Sequence, residues 1–352
     1  MKRAAFAVPG SLDTPTGGYA YDKRIITELR ALGWQVDVVD LGNSFPNPDR
    51  AARELARAKL LALNEGEPLV VDGLAFGVMA DEAAQLCARN PLVALVHHPL
   101  ALETGIPTGK VRALRDSERE ALSCARFVIV TSQPTATIVT RDYAVPAERV
   151  AVICPGVDRG PLTKRSTVGA GGAVRLLAVG SIVPRKGYDI LIEALAGLDA
   201  MPWQLTIVGD TTRDAAASAR LEADTARLQL QDRVVIAGAV TGPPLNALYA
   251  GADVFVLASL FEGYGMVFAE AIAYGLPVVA TAVGVAKDIV PADAGVLVTP
   301  GDVPALQEAL RRVIADADLR LRMAESARTA SRGLPEWRQS ALQFAQVLEA
   351  VT

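Results

Sequence analysis

The chain has 352 residues, 51% of them apolar, and a net charge of −4. That is more than a single core normally fills, so two domains are expected, and with no acidic or basic tail nucleic acid is excluded as the main partner. No apolar run reaches the roughly 18 residues of a membrane span, and MKRAAFAVPG is too short for the apolar part of a leader, so the protein is expected in the cytoplasm.

Chain order carries the fold. Short apolar runs, RAAFAV, QVDVVDL, PLVVDG, LVALVHH, RFVIVTS and VAVICPG, alternate with stretches of helical spacing. In DKRIITELRALG, for example, Ile25, Ile26, Leu29 and Leu32 share a face and Gly33 supplies the stop. Such alternation predicts a parallel sheet covered on both sides. Cys87, Cys124 and Cys154 are read as buried thiols of a reducing compartment, not as a disulfide or metal framework.

The pattern breaks at DRGPLTKRSTVGAGGAV, which has almost no large apolar residue and reads as a linker. Strands and helices then resume from VRLLAVGS to AGVLVTP, predicting a second doubly wound sheet. The expected organisation is therefore an N-terminal Rossmann-like domain over 1–158, a linker over 159–173 and a C-terminal Rossmann-like domain over 174–334, with 335–352 as a last helix. That helix carries Trp337, Leu342, Phe344, Val347 and Leu348 on a wide apolar stripe, suited to crossing back onto the first domain.

Within the second half, SLFEGYGMVFAEAIAYGLPVV sets two acids and three glycines inside an apolar stretch. ADVFVLAS reads as a buried strand, LFEGYG as a turn and MVFAEAIAYG as a helix, so Glu262 falls at the C-terminal end of a strand. Gly263 and Gly265 let backbone approach a ligand, and a helix starting at Met266 aims N–H groups at an anion. Glu270, one turn further on, suits neutral hydroxyls such as those of a ribose.

EGYGMVFAE resembles the paired-glutamate signature of the retaining family-4 glycosyltransferases, which have the GT-B fold: two doubly wound Rossmann-like α/β domains facing across a cleft. Other segments fall in the family's order: GGYAYDKRIITELRALGWQVDVV, LVHHP, VTSQPTATIVTRDYAVPAERVAVICPGVD and VGSIVPRKGYDILIEAL. The resemblance implies that Arg185 and Lys186 neutralise the donor's diphosphate beside Gly180, that Glu262 lies near the transferred sugar, and that Glu270 holds the ribose. By the same resemblance Gly17 and Gly18 approach phosphate and sugar. Gly263, Tyr264, Gly265 and Met266 belong to the donor site, and backbone near Gly238 and Val240 meets the base. His97 or His98 matches the family histidine at the sugar.

The implied reaction is retaining, same-face transfer from a nucleotide-diphosphate sugar, UDP ahead of GDP, to an acceptor hydroxyl. No metal and no cofactor are expected, since no His/Asp cluster at ligand spacing occurs in the sequence. A degenerate nucleotide-sugar-binding protein and a non-hydrolysing nucleotide-sugar epimerase are the alternatives. Two basic stretches, with Arg50, Arg53 and Arg57 and with Lys110, Arg112, Arg115 and Arg119, admit two accounts: a solvated face, or peripheral contact with anionic lipid.

Overall fold

A computed structural model describes residues 2–103, 106–160 and 172–352. Most of the expected linker, 161–171, lies outside the described residues. The chain divides into two compact units, Met1–Gly156 with Pro335–Thr352, and Val157–Leu334.

The first unit is built on β1 (Arg3–Val8), β2 (Gln35–Asp40), β3 (Leu69–Asp72), β4 (Leu92–Val96), β5 (Phe127–Val130) and β6 (Val150–Val152), in the order β2-β1-β3-β4-β5-β6. Every pairing is parallel. β3 and β4 are buried along their whole length, which is why they read as continuous apolar runs rather than alternating ones. The C-terminal helix Trp337–Val351 belongs to this unit and packs on the helix Gly17–Ala31. Trp337 meets the edge of Tyr21 with ring centroids 5.8 Å apart, and the Ser340 hydroxyl donates to the Cys154 carbonyl at 2.7 Å. A Cβ on Gly156 would stand 2.1 Å from the Trp337 nitrogen, so the chain can pass there only as glycine. Leu342 departs from the expected stripe: it is 46% exposed, while Trp337, Phe344, Val347 and Leu348 are buried. At about 100° per residue it points some 160° away from Phe344.

The second unit has β7 (Val174–Val179), β8 (Trp203–Val208), β9 (Val234–Ile236), β10 (Val254–Leu257), β11 (Val278–Thr281) and β12 (Gly295–Val298), in the order β12-β11-β10-β7-β8-β9. All its pairings are parallel as well. This is the dinucleotide-binding strand order, whose reversal point lies between β7 and β10. In the first unit the reversal lies between β1 and β3.

The cysteines depart from expectation. Cys87 is exposed, and Cys124 and Cys154 are half-buried. Cys87 and Cys124 each end a helix, Ala80–Leu86 and Thr108–Ser123, where the last turn faces partly outward and apolar neighbours in sequence do not ensure burial. Among the described residues no helix is long and apolar enough to cross a membrane.

Candidate active site

In the second unit the site grows from the C-terminal ends of β7 and β10. After β7 the chain makes one tight turn, Pro184–Lys186, closed by Gly187 in the left-handed region at φ +62°. A Cβ on Gly187 would lie 2.1 Å from the Ala258 carbonyl oxygen, so this turn is pressed against the end of β10 as only glycine allows. Backbone locks the two loops together: the Leu260 N–H donates to the Arg185 carbonyl at 2.8 Å.

The side chains then converge. Lys186 Nζ donates to Glu262 Oε1 at 2.6 Å, and Arg185 Nη1 reaches Glu262 Oε2 at 3.3 Å and the Phe261 carbonyl at 2.9 Å. The Ser259 hydroxyl adds a bond to Glu262 Oε1 at 2.6 Å, and Thr281 holds the Ser259 carbonyl at 2.5 Å. Lys186 and Glu262 are both buried. Burial pushes the Glu262 carboxyl up, but Lys186 and then Arg185 outweigh it, so its pKa falls below the ordinary value and it is ionised at neutral pH. Gly180 sits directly under the lysine, where a Cβ would come within 2.9 Å of Lys186 Cε, and its carbonyl accepts from the Tyr188 hydroxyl at 2.6 Å.

Beyond Glu262, the turn Gly263, Tyr264 and Gly265 leads into the helix Met266–Ala273. Gly265 is the N-cap, at φ +72°, and brings no side chain to the first N–H groups, so the helix start presents donors and a positive dipole end. Glu270 lies on this helix, and its Oε2 accepts from the Tyr249 hydroxyl at 2.6 Å. Burial raises its pKa against the pull of that bond, while the nearby Asp158 raises it further. Gly238 and Val240 lie just past β9, and the Gly238 carbonyl accepts from the Gly209 N–H at 2.9 Å.

The first unit assembles a second cluster. His97 follows β4 and turns its Nε2 toward Asp22 Oδ1 at 3.0 Å and Asp72 Oδ2 at 3.4 Å. Gly18, in the first turn of its helix, lies over the same ring, where a Cβ would come within 3.2 Å of His97 Cδ2. Gly17 begins that helix, whose N-cap Thr16 accepts from the Tyr19 N–H at 3.4 Å. Burial works against a charge on His97, but Asp22 and then Asp72 outweigh it and raise its pKa. Burial also raises Asp22, with Asp72 adding to the rise and His97 opposing it. His98 points elsewhere, with Nε2 at 3.2 Å from Glu103 Oε2.

Arg185, Lys186, Gly180, Glu262 and the Gly263–Met266 turn thus lie together, and Gly18 lies with His97. Glu270 stands on the helix that Met266 begins, Gly238 and Val240 lie past β9 of the second unit, and His98 is separate from the His97 cluster. Sequence reasoning passed over Ser259, Gly187, Tyr249, Asp22 and Asp72. Asp22 did leave a signal: it stands three residues before Ile25 on the apolar face of its helix, a place where an acid needs a partner.

The basic stretches are largely paired. Arg53 grips Glu82 with two bonds of 3.2 and 2.7 Å, Arg57 donates to Gln85 at 2.8 Å and Arg50 to Glu54 at 2.8 Å. Arg112 and Arg119 lie 3.6 and 3.8 Å from Asp116.

The chain matches two family models, Glycosyltransferase Family 4 over residues 20–160 and Glycosyl transferases group 1 over residues 163–330. It is 31% identical over 277 residues to the D-inositol 3-phosphate glycosyltransferase of Xylanimonas cellulosilytica, covering 72% of this chain and 66% of that one. It is 28% identical over 323 residues to the MMP alpha-(1->4)-mannosyltransferase of Mycolicibacterium hassiacum, covering 87% of this chain and 75% of that one. Among solved structures, the sucrose-phosphate synthase of Thermosynechococcus elongatus superposes with a TM-score of 0.83 at 23% identity, over 100% of this chain and 99% of that one. Anabaena HepE in complex with UDP-glucose does so with a TM-score of 0.81 at 22% identity, over 99% of this chain and 100% of that one. With two parallel six-stranded sheets and both family models matched in order, the chain belongs to the family-4 glycosyltransferases and has their GT-B fold.

Proposed function

We propose that the protein transfers a sugar from a nucleotide-diphosphate donor to an acceptor hydroxyl with retention of configuration and without a metal. The observation that carries this is the pair of cations held together at the ends of β7 and β10. Arg185 and Lys186 share one carboxylate and stand in the same loop cluster as the uncapped start of helix Met266–Ala273. A leaving diphosphate gains negative charge as the glycosidic bond breaks, and fixed cations with N–H groups stabilise that charge more than they stabilise the ground state. Glu262, immobilised by Ser259 and both cations, is suited to bind sugar hydroxyls rather than to attack, since its oxygens are already engaged. Glu270 serves the ribose, Gly238 and Val240 the base, and Gly17, Gly18 and His97 the sugar.

UDP is the expected nucleotide, with GDP next; relatives at lower identity include HepE complexes with UDP and UDP-glucose. Several relatives carry a phosphorylated compound in their names, among them D-inositol 3-phosphate glycosyltransferase and mannosylfructose-phosphate synthase. Phosphorylated polyols and sugars are therefore the first acceptors to try. The pairing of Arg50, Arg53 and Arg57 favours a solvated face over an anionic-lipid surface, and so a cytoplasmic reaction on a dissolved acceptor.

Calorimetric titration with UDP, GDP and ADP and their common sugars tests the donor site. One nucleotide should bind at micromolar strength to the wild type and not to Arg185→Ala/Lys186→Ala. Absence of binding by all three would refute the reading. Release of free sugar or of a new glycoside, followed by NMR of its anomeric proton, then tells transfer with retention from a binding-only protein and from an epimerase.

A further inference from the structure

The cluster under Gly18 holds more acid than the histidine needs. His97 Nε2 faces two carboxylates at 3.0 and 3.4 Å, and the second oxygen of Asp22 is buried without a hydrogen-bond partner among the described residues. Asp22 is 0% exposed and Asp72 4%. A bare pair of carboxylates in such a place is costly, and a cation between them is the ordinary remedy. Here the cation is at hand, since an imidazolium puts its Nε2–H toward both oxygens.

The ring is also held in place. The Tyr21 ring meets it edge-on at 5.4 Å, the Gly18 backbone closes over Cδ2, and Thr131 Oγ1 donates to the His97 carbonyl at 3.4 Å. No described residue bonds Nδ1, and 21% of the side chain is open. The groups facing the ring are Asp22 and Tyr21 from helix Gly17–Ala31, Asp72 from the end of β3, and Thr131 after β5. The Tyr21 hydroxyl is taken up by the Ile153 carbonyl at 3.0 Å, and the helix Trp337–Val351 contributes Trp337 behind Tyr21 and no charge. The next residue, His98, is paired with Glu103.

We propose that Asp22 and Asp72 are positioning residues that keep His97 as an imidazolium, with Nε2–H turned inward and Nδ1–H turned outward as a charged donor for a phosphate, carboxylate or hydroxyl oxygen of a ligand. A neutral ring donating inward from Nε2 would leave Nδ1 an acceptor, so the two buried acids decide whether this unit offers a donor or an acceptor. The direction of the shift on His97 agrees. The charge state stands independently of the transferase reading; only the identity of the oxygen that Nδ1–H meets rests on it.

The test is nitrogen NMR of ring-labelled histidine in the full chain across pH. There are two histidines, so His98→Gln assigns the signals. In the wild type both His97 nitrogens should remain protonated well past the ordinary imidazole midpoint of about 6.5. Asp22→Asn should lower the midpoint, and Asp22→Asn/Asp72→Asn should return it toward about 6.5. Asn at 72 can still accept the Leu74 N–H that Asp72 Oδ1 now takes at 2.8 Å, so Asp72→Asn serves alone if the Asp22 variant does not fold. A wild-type midpoint near the ordinary value, or one unmoved by either change, overturns the proposal. So does tight binding of Zn²⁺ or Mn²⁺ that displaces the ring protons, because the Asp22, Asp72 and His97 donor atoms lie within 4.8 Å of one another. In transfer assays the double variant should lose about 10-fold in kcat at pH about 8 and little at pH about 6, with donor KM nearly unchanged. A wild type without transfer refutes the proposed function and leaves the NMR result to stand by itself.

Discussion

The two buried ion clusters are mirror images in charge. In the first unit two carboxylates, Asp22 and Asp72, face one imidazole; in the second one carboxylate, Glu262, faces two cations, Arg185 and Lys186. Both form where loops leave adjacent parallel strands at the reversal of strand order, the place at which helix starts and strand ends leave room for a ligand. The difference lies in which sign is in the majority around the shared partner. Against the effect of burial, the two acids raise the pKa of His97 and the two cations lower that of Glu262, while burial itself raises that of Asp22.

The comparison breaks most visibly when the cations are removed. Arg185→Ala/Lys186→Ala should weaken nucleotide binding by about 100-fold or more, read by calorimetry. It should also cost about 3 kcal/mol in stability, because Glu262 stays buried without a counter-charge. Adding Glu262→Gln should restore much of the melting temperature and none of the binding, which separates the two effects.

Another buried acid, Glu118, supplies the control. Its carboxylate accepts the Leu100 N–H at 3.1 Å, and burial, opposed by that bond, pushes its pKa from 4.5 up to about 8. A raised pKa means that the folded protein binds the proton more tightly than the unfolded chain. The contribution is therefore complete below pH about 4.5 and is lost as pH rises through about 8. Glu118→Gln should remove this slope, a change on the order of a few kcal/mol between urea melts at the two ends of that range. An unchanged slope would show that the acid ionises freely in the fold.

Smaller changes sharpen the picture. Gly187→Ala must either unlock the basic turn from Ala258 or strain φ, so a loss of about 2 kcal/mol and weaker nucleotide binding are expected in thermal melts and titrations. Ser259→Ala removes one bond of three sorts on Glu262 and should cost about 1 kcal/mol, with binding changed by less than about threefold.

Much of this was legible in the chain. Parallel, fully covered sheets follow from continuous apolar strands alternating with helices, and the basic turn, Glu262 and the glycine-rich helix start were marked by unusual residues at the ends of such strands. Gly187 stood in PRKG, yet nothing in the sequence told of the Ala258 carbonyl 2.1 Å from its missing Cβ. Leu342 was placed on the apolar stripe and faces outward, because a wide stripe read from sequence does not say where its edge falls.

Local spacing decided the elements and their order, since hydrophobic period and turn chemistry act over a few residues. What joined Asp22 to Asp72 and His97, 50 and 75 positions away, was the order of strands in the sheet, and likewise for Lys186 and Glu262 across 76. Charge balance in a buried cluster is a property of such meetings. The sequence determined which charges the chain carries, and only the tertiary structure decided which of them are cancelled and which remain to act on a ligand.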